Sequence, residues 1–171
     1  LMCYVNSTVD HTLTGHVGQW DKLEDMNIHL YADADLAGER PSYKSTAGTY
    51  CVMSGPNTDF AFAARSKNIG GVCSSTPEAE KSAANMGLKS VGMPTLDLVD
   101  QMTQQTSPNC CQLTLYEDNT ATIQIIKTGK NPTMRYLARH QGINVNLLHQ
   151  IFFPWDDIKD CPCLLYTSPS P

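Results

Sequence analysis

The chain of 171 residues is 41% hydrophobic and 17% charged, and its net charge is −5 at pH 7. The length suffices for one domain with a hydrophobic core, and the composition is that of a globular rather than a disordered chain. No apolar run approaches the roughly 18 residues of a membrane helix, so we expect no membrane partner. The acidic balance by itself argues against a nucleic-acid ligand, because phosphate groups normally require a basic patch.

The seven cysteines are unevenly spaced. An odd number without regular spacing argues against a disulfide framework and favours a reducing intracellular compartment. Cys161 and Cys163 are separated by a single residue, whereas the paired cysteines of common zinc sites are separated by about two to four. The cysteines therefore do not predict a metal–thiolate site.

Three β-prone runs come first in the chain, at residues 28–32, 49–53 and 60–64. The first run is followed directly by Asp33. A Ser-Gly-Pro-Asn sequence lies between the second and third runs, and a short gap of such turn-forming residues predicts a β-hairpin.

Helices and one further strand are expected in the second half. A helix should begin at Thr76, since Thr is a good N-cap and the following Pro is favoured in the first turn, and it should break near Pro94. A fourth strand is predicted at residues 113–116, then a helix over residues 119–127 and another after Pro132. This order predicts an α/β fold whose sheet is partly antiparallel and partly parallel.

Two of the predicted strands lead into acidic residues, Asp33 and Asp118. Ligands of α/β sheets bind at the strand ends, and two carboxylates on neighbouring strands would repel each other there. A divalent cation would relieve the repulsion, and oxygen ligands suit Mg²⁺ or Mn²⁺. Glu80, on the first turns of the helix that begins at Thr76, would be a third ligand. Three such acids suit a site with two metal ions that acts on a phosphodiester.

Ordinary interpretations are open for acidic and histidine residues of this chain. An Asp at a strand end is most often a turn or cap residue, and this alternative is open for Asp33 and for Asp118. Asp35 is interpreted as a turn residue beside Asp33. Glu78 is interpreted as a favourable charge at a helix N-terminus. His16, His140 and His149 lack ligand spacing and are interpreted as surface or hydrogen-bonded side chains.

Five segments carry motifs in a recognisable order. They are YADADLAG at 31–38, KSTAG at 44–48, ARSK at 64–67, SSTPEAE at 74–80 and YEDNTA at 116–121. They resemble, in the same order, the motifs D-A-D-W-A-G, R/K-S-T-S-G, W-x-S-K-K, S-S-T-E-A-E-Y and Y-x-D-N-x-A of the ribonuclease H domains of copia-type retrotransposon Pol polyproteins. The resemblance extends roughly over residues 28–152.

The resemblance implies a ribonuclease H-like mixed sheet, with three antiparallel strands followed by parallel strands and flanking helices. It implies an endonuclease that hydrolyses the RNA of RNA–DNA hybrids during reverse transcription. Asp33, Glu80 and Asp118 would be its catalytic and metal-binding residues. They would hold two Mg²⁺ ions, with Mn²⁺ as the alternative metal.

The implied partners are an RNA–DNA hybrid and the upstream reverse transcriptase domain of the same polyprotein. Lys44, Arg65 and Lys67 are candidate phosphate contacts, and a solvated surface is the alternative for each. The hybrid should be recognised by its shape, backbone and 2′-OH groups. The upstream domain would share the positive charge that binding requires. The implied location is the cytoplasm, within virus-like particles, or the nucleus.

The sequence also departs from the family pattern. Leu36 stands where the family has Trp, and Lys81 where it has an aromatic residue. The family's later A-D-I/L-x-T-K segment with a fourth Asp is absent, so we expect the ribonuclease H-like domain, residues 28–162, to be truncated and to lack its last strand. Residues 1–27 are expected to be the tail of a reverse transcriptase connection. Residues 163–171 resemble a translated sequencing adapter and are expected to contribute nothing to the fold.

Two other functions are weighed against the nuclease. A catalytically inactive nucleic-acid-binding or tethering remnant of the same fold is favoured by the missing fourth carboxylate. An integrase-type strand-transfer enzyme would need a Glu about one helix after Asp118, and the sequence has no Glu beyond that position. We therefore set the integrase aside. Cleavage of a hybrid distinguishes the remaining two hypotheses.

Overall fold

A computed structural model describes residues 2–39, 41–103, 110–130, 139–153 and 163–167. Five strands in this part of the chain form one sheet. They are β1 (Asn27–Glu39), β2 (Lys44–Ser54), β3 (Asp59–Asn68), β4 (Gln112–Glu117) and β5 (Cys163–Thr167). The strand order is β3-β2-β1-β4-β5. Strand β2 is antiparallel to both β1 and β3, whereas β4 is parallel to β1 and β5 is parallel to β4.

Alternating burial explains why β1 forms at the centre of the sheet. Ile28, Leu30 and Ala32 are buried, and the residues between them are at least partly exposed. The strand is longer than the predicted run of residues 28–32, because its regular pairing with β2 continues as far as Asp35 before the register shifts. The predicted hairpin between the second and third strands is confirmed.

The helices are bounded as follows. They are α1 (Met2–Ser7), α2 (Thr76–Gly87), α3 (Met93–Thr103), α4 (Thr120–Thr128) and α5 (Arg139–Phe152), with a 3₁₀ turn at Leu23–Asp25. The helix break expected near Pro94 takes the form of a π-helical turn, Leu88–Gly92, that joins α2 to α3. A Cβ atom on Gly92 would lie 3.1 Å from the Leu30 side chain, so glycine lets this turn lie close to β1. None of the described helices is long and apolar enough to cross a bilayer.

Helices α2, α4 and α5 cover one face of the sheet. Leu30, Leu115, Leu88, Ile126 and Leu148 are fully buried between the two layers. The opposite face carries one row of tyrosines that runs across four strands. The row consists of Tyr50, Tyr31, Tyr116 and Tyr166. The helix-covered face therefore contains the hydrophobic core.

The fold class predicted from the sequence is confirmed: an α/β fold in which three antiparallel strands precede parallel strands and helices flank the sheet. The expected absence of the last strand is wrong, because Cys163–Thr167 forms β5. This segment is apolar and β-prone, and it pairs with backbone groups that β4 would otherwise leave as an open edge. Residues 154–162, the end of the predicted domain, lie outside the described part.

Candidate active site

Asp33 and Asp118 lie at the same level along neighbouring parts of the sheet. The pairing of β1 with β4 ends at Tyr31 opposite Tyr116, and each aspartate lies two residues further along its chain. Neighbouring strands are about 4.8 Å apart, so this register brings the two acidic positions close together. Both side chains are exposed, and Asp33 Oδ1 accepts a hydrogen bond of 2.8 Å from the backbone N–H of Ala34.

The start of α2 determines where Glu80 lies. Glu78 Oε2 accepts hydrogen bonds from the backbone N–H of Ser74, at 2.8 Å, and from its hydroxyl, at 2.6 Å. These bonds hold the chain just before the helix, and they agree with the interpretation of Glu78 as a residue of the helix N-terminus. Glu80, one half-turn further, is 5% exposed. The α2 helix therefore directs a carboxylate into the interior beside the sheet.

The electrostatic environment of Glu80 links it to both aspartates. Burial raises the pKa of Glu80 to about 7, and the carboxylates of Asp33 and Asp118 act in the same direction. The backbone N–H of Ala34 opposes them by stabilising the charged form. The three acids predicted from the sequence therefore lie close enough for the charges of Asp33 and Asp118 to raise the pKa of Glu80.

A fourth carboxylate, Glu117, belongs to the same neighbourhood and was not selected from the sequence. It is 1% exposed and accepts a hydrogen bond of 3.1 Å from the backbone N–H of Asn119 at its Oε1 atom. Burial, together with the smaller effects of the charges of Glu80, Asp118 and Asp33, raises the pKa of Glu117 to about 8 against the lowering effect of this hydrogen bond. The charges of Asp33, Glu80 and Asp118 therefore act on a fourth carboxylate, that of Glu117.

The alternation of β4 was the available signal for Glu117. Leu113 and Leu115 are fully buried, and Glu117 follows at the next position on the same face. A charged residue in register with core positions is unusual unless it is paired or functional. In the sequence, Glu117 stands only as the variable residue of the motif around Asp118.

The loop that carries Asp118 is tied to the helix that carries Glu80. Asn119 caps α4, since its Oδ1 atom accepts a hydrogen bond of 3.0 Å from the backbone N–H of Thr122. The Thr122 hydroxyl donates in turn to the carbonyl of Pro77 in the first turn of α2, at 3.3 Å. These two bonds fix the relative positions of the two acidic residues.

The donor chemistry of the site fits a divalent metal ion. Its side chains are carboxylates, the hard oxygen ligands that Mg²⁺ and Mn²⁺ prefer. Oε2 of Glu80 and Oε2 of Glu117 are buried and have no hydrogen-bond partner among the described residues. Burying a charged oxygen without a partner is costly, and a cation would supply that partner. In the described ranges, no three His, Cys, Asp or Glu side chains converge into a ready ligand set.

The three basic candidates lie in different places. Arg65 lines an open cavity of about 440 Å³ together with Asp33. Lys67 lines a second cavity, of about 360 Å³, near Cys73. Lys44 is exposed at the first position of β2. The structure therefore brings Arg65 beside an acid of the site but gives the two lysines other surroundings.

No family model matches the chain, and no curated protein matches it. Among solved structures, it is similar to RNase H1 from the halophilic archaeon Halobacterium salinarum, with 15% identity, a TM-score of 0.46, and coverage of 84% of this chain and 86% of that one. LC11-RNase H1, isolated from compost, is 18% identical with a TM-score of 0.44, and 84% of each chain is covered. The same protein in complex with an RNA/DNA hybrid is 17% identical with a TM-score of 0.43, covering 83% and 85%.

Proposed function

We propose that this chain hydrolyses the RNA strand of RNA–DNA hybrids in a reaction that depends on divalent metal ions. The observation that carries the proposal is the electrostatic neighbourhood of Asp33, Glu80 and Asp118, which come from a strand, a helix and a strand end. Oε2 of Glu80 is also buried without a hydrogen-bond partner among the described residues. Such an arrangement is costly for folding alone and is typical of functional sites.

Asp33, Glu80 and Asp118 are the residues that would hold the metal ions, two Mg²⁺ or two Mn²⁺. Bound there, the ions would supply activation of the attacking water and stabilisation of the leaving oxygen. The two exposed aspartates are open to a phosphodiester backbone, whereas Glu80 is reached from the interior. The chain's own contribution is to position these carboxylates on rigid elements before substrate arrives.

Arg65 is the basic residue with the strongest case for contact with the hybrid, because it lines the same cavity as Asp33. Lys44 and Lys67 would act as more distant phosphate contacts. With a net charge of −5, the chain would bind a polyanion weakly on its own. We therefore propose that an upstream reverse transcriptase domain of a copia-type Pol polyprotein supplies further positive charge, within cytoplasmic virus-like particles or in the nucleus.

The test is cleavage of a hybrid whose RNA and DNA strands carry different labels, with Mg²⁺ and Mn²⁺ titrated separately. The matched variants are Asp118→Asn, which removes a carboxylate of the site, and Asp35→Asn, which removes one from the exposed surface nearby. We expect cleavage of the RNA strand only, abolished in Asp118→Asn and retained in Asp35→Asn. Circular dichroism of each variant checks that it is folded.

The rival hypothesis is an inactive nucleic-acid-binding remnant of the same fold. A folded wild-type chain that binds the hybrid without cutting it at any metal concentration would establish the remnant and overturn the nuclease. Cleavage of both strands, or of RNA in the presence of EDTA, would also contradict the proposal. Attaching the upstream domain should tighten hybrid binding and reduce the KM of cleavage.

A further inference from the structure

Glu117 is the side chain of the site that the motif resemblance does not account for. It occupies the variable position of the Y-x-D-N-x-A motif, directly before Asp118. It is the last residue of β4 and lies on the face covered by helices. Among the four carboxylates it is the least exposed, at 1%. A Glu in this place needs a physical explanation, since burying a carboxylate in a core lowers stability.

The hydrogen bonds of Glu117 leave half of the carboxylate without a partner. Oε1 accepts the backbone N–H of Asn119, whereas Oε2 is buried with no hydrogen-bond partner in the described part of the chain. Glu80 repeats this pattern from α2, with its own Oε2 buried and unpartnered. Each of these two elements therefore buries one carboxylate oxygen that has no hydrogen-bond partner among the described residues, and the charge of Glu80 acts on Glu117.

No cation of the described chain offsets these two carboxylates. The charged groups that influence Glu117 are Glu80, Asp118 and Asp33, and all three are acids. Those that influence Glu80 are Asp33 and Asp118. Carboxylates grouped in this way are stabilised by a bound divalent ion, which prefers six or more oxygen ligands and accepts several carboxylates.

We propose that Glu117 is an additional ligand of the metal site in this chain and supplies a fourth carboxylate. The inference rests on the proposed function, because it assigns Glu117 to the site held by Asp33, Glu80 and Asp118. In this arrangement the buried Glu80 and Glu117 would hold an ion together with the two exposed aspartates.

The experiment measures Mn²⁺ binding directly, by the loss of the electron paramagnetic resonance signal of free Mn²⁺ as protein is added. The variants are Glu117→Gln, Asp118→Asn and, as the matched control, Asp35→Asn. We expect Glu117→Gln to bind Mn²⁺ roughly tenfold or more weakly than the wild type, as Asp118→Asn does, and Asp35→Asn to bind it unchanged. Hybrid cleavage by the same proteins is measured in parallel.

The outcomes separate this inference from the proposed function. If Glu117→Gln binds Mn²⁺ like the wild type while Asp118→Asn does not, Glu117 is only a buried acid and the inference is overturned, but the nuclease stands. If the wild type binds no Mn²⁺ at millimolar concentration, both fail. Should Glu117→Gln not fold, Glu117→Asp replaces it: it keeps the charge but shortens the side chain, and unchanged Mn²⁺ affinity and stoichiometry in that variant would overturn the inference.

Discussion

Tyr31 and Tyr116 face each other across β1 and β4, with their rings stacked and the ring centroids 4.6 Å apart. They are also the last pair in the register of the two strands. The contact therefore lies immediately before the positions from which Asp33 and Asp118 project. A slip of one residue between the strands would separate the tyrosines and move one aspartate to the other face, so the aromatic pair supports the geometry of the site.

The stacked pair should show a measurable coupling free energy. We expect Tyr31→Leu and Tyr116→Leu to be non-additive in a double-mutant cycle, with a coupling of about 0.5–1.5 kcal/mol, because stacked rings contribute beyond their buried area. Urea unfolding of the wild type, both single variants and the double variant gives this value. The pair Tyr31 and Tyr50, tilted and 6.3 Å apart, is the matched comparison and should couple less. Simple additivity at Tyr31 and Tyr116 would show that the stacking contributes nothing.

The stability of the metal-free chain should fall as the pH rises from 5 to 8. Glu80 and Glu117 have pKa values of about 7 and about 8 in the folded chain, above the ordinary 4.5. Groups with raised pKa values favour folding fully below their unfolded pKa and lose this contribution as the pH passes through the folded pKa. His29, whose pKa is lowered by burial, acts in the opposite direction below about pH 6.5.

Urea unfolding in EDTA at a series of pH values measures this effect, and Glu117→Gln isolates it from His29. Between pH 5 and 8, we expect the free energy of unfolding of the wild type to fall by at least about 1.4 kcal/mol more than that of Glu117→Gln. This difference corresponds to a shift of one pKa unit. Mg²⁺ added at pH 8 should restore part of the loss in the wild type. Parallel pH profiles of the two proteins would contradict the prediction.

Removing β5 should destabilise the chain and promote aggregation. Cys163 is 3% exposed and Leu165 packs against the core, so a chain that ends at residue 162 would uncover part of the core and the edge of β4. We expect a loss of roughly 2 kcal/mol or more in the free energy of unfolding, with increased light scattering from edge-to-edge association. A chain that ends at residue 167 is the matched control. Equal stability of the two chains would mean that β5 contributes nothing to the fold.

The buried Lys81 side chain destabilises the folded chain, so the substitution Lys81→Met should increase the free energy of unfolding. The side chain is 1% exposed, its Nζ atom has no hydrogen-bond partner in the described ranges, and burial lowers its pKa although Glu78 and Cys73 oppose this. Met keeps the length of the side chain and removes the buried charge, so we expect a gain of about 1 kcal/mol. Thermal and urea unfolding measure it, with Lys89→Met at an exposed position as the control. A less stable Lys81→Met would mean that the ammonium group is satisfied by its surroundings.

The pH dependence of this variant gives a second check. Because the pKa of Lys81 is lowered below 10.5, the wild type loses stability as the pH falls from that value through the folded pKa. Lys81→Met lacks this group. Its advantage over the wild type should therefore shrink as the pH approaches 10, and a constant difference would assign the gain to packing instead of charge.

The sequence by itself determined the strands of the hairpin, the start of α2 at Thr76 and the selection of Asp33, Glu80 and Asp118. Alternating hydrophobic residues, turn residues and helix caps are local patterns in the sequence. A motif that spans one strand end or one helix turn can therefore be recognised without knowing which elements pack against it. Whether these acids bind metal stays a prediction that the experiments above test.

Only the tertiary structure decided which other residues join them. Glu117 enters the site because β4 lies parallel to β1 beneath the helices, which turns one face of a short strand inward. Arg65 shares a cavity with Asp33 because β3 pairs with β2 in one particular register. The strand at residues 163–167 forms because β4 offers it an open edge. Each of these results depends on contacts between segments far apart in the chain, which set burial and charge and which no local pattern specifies.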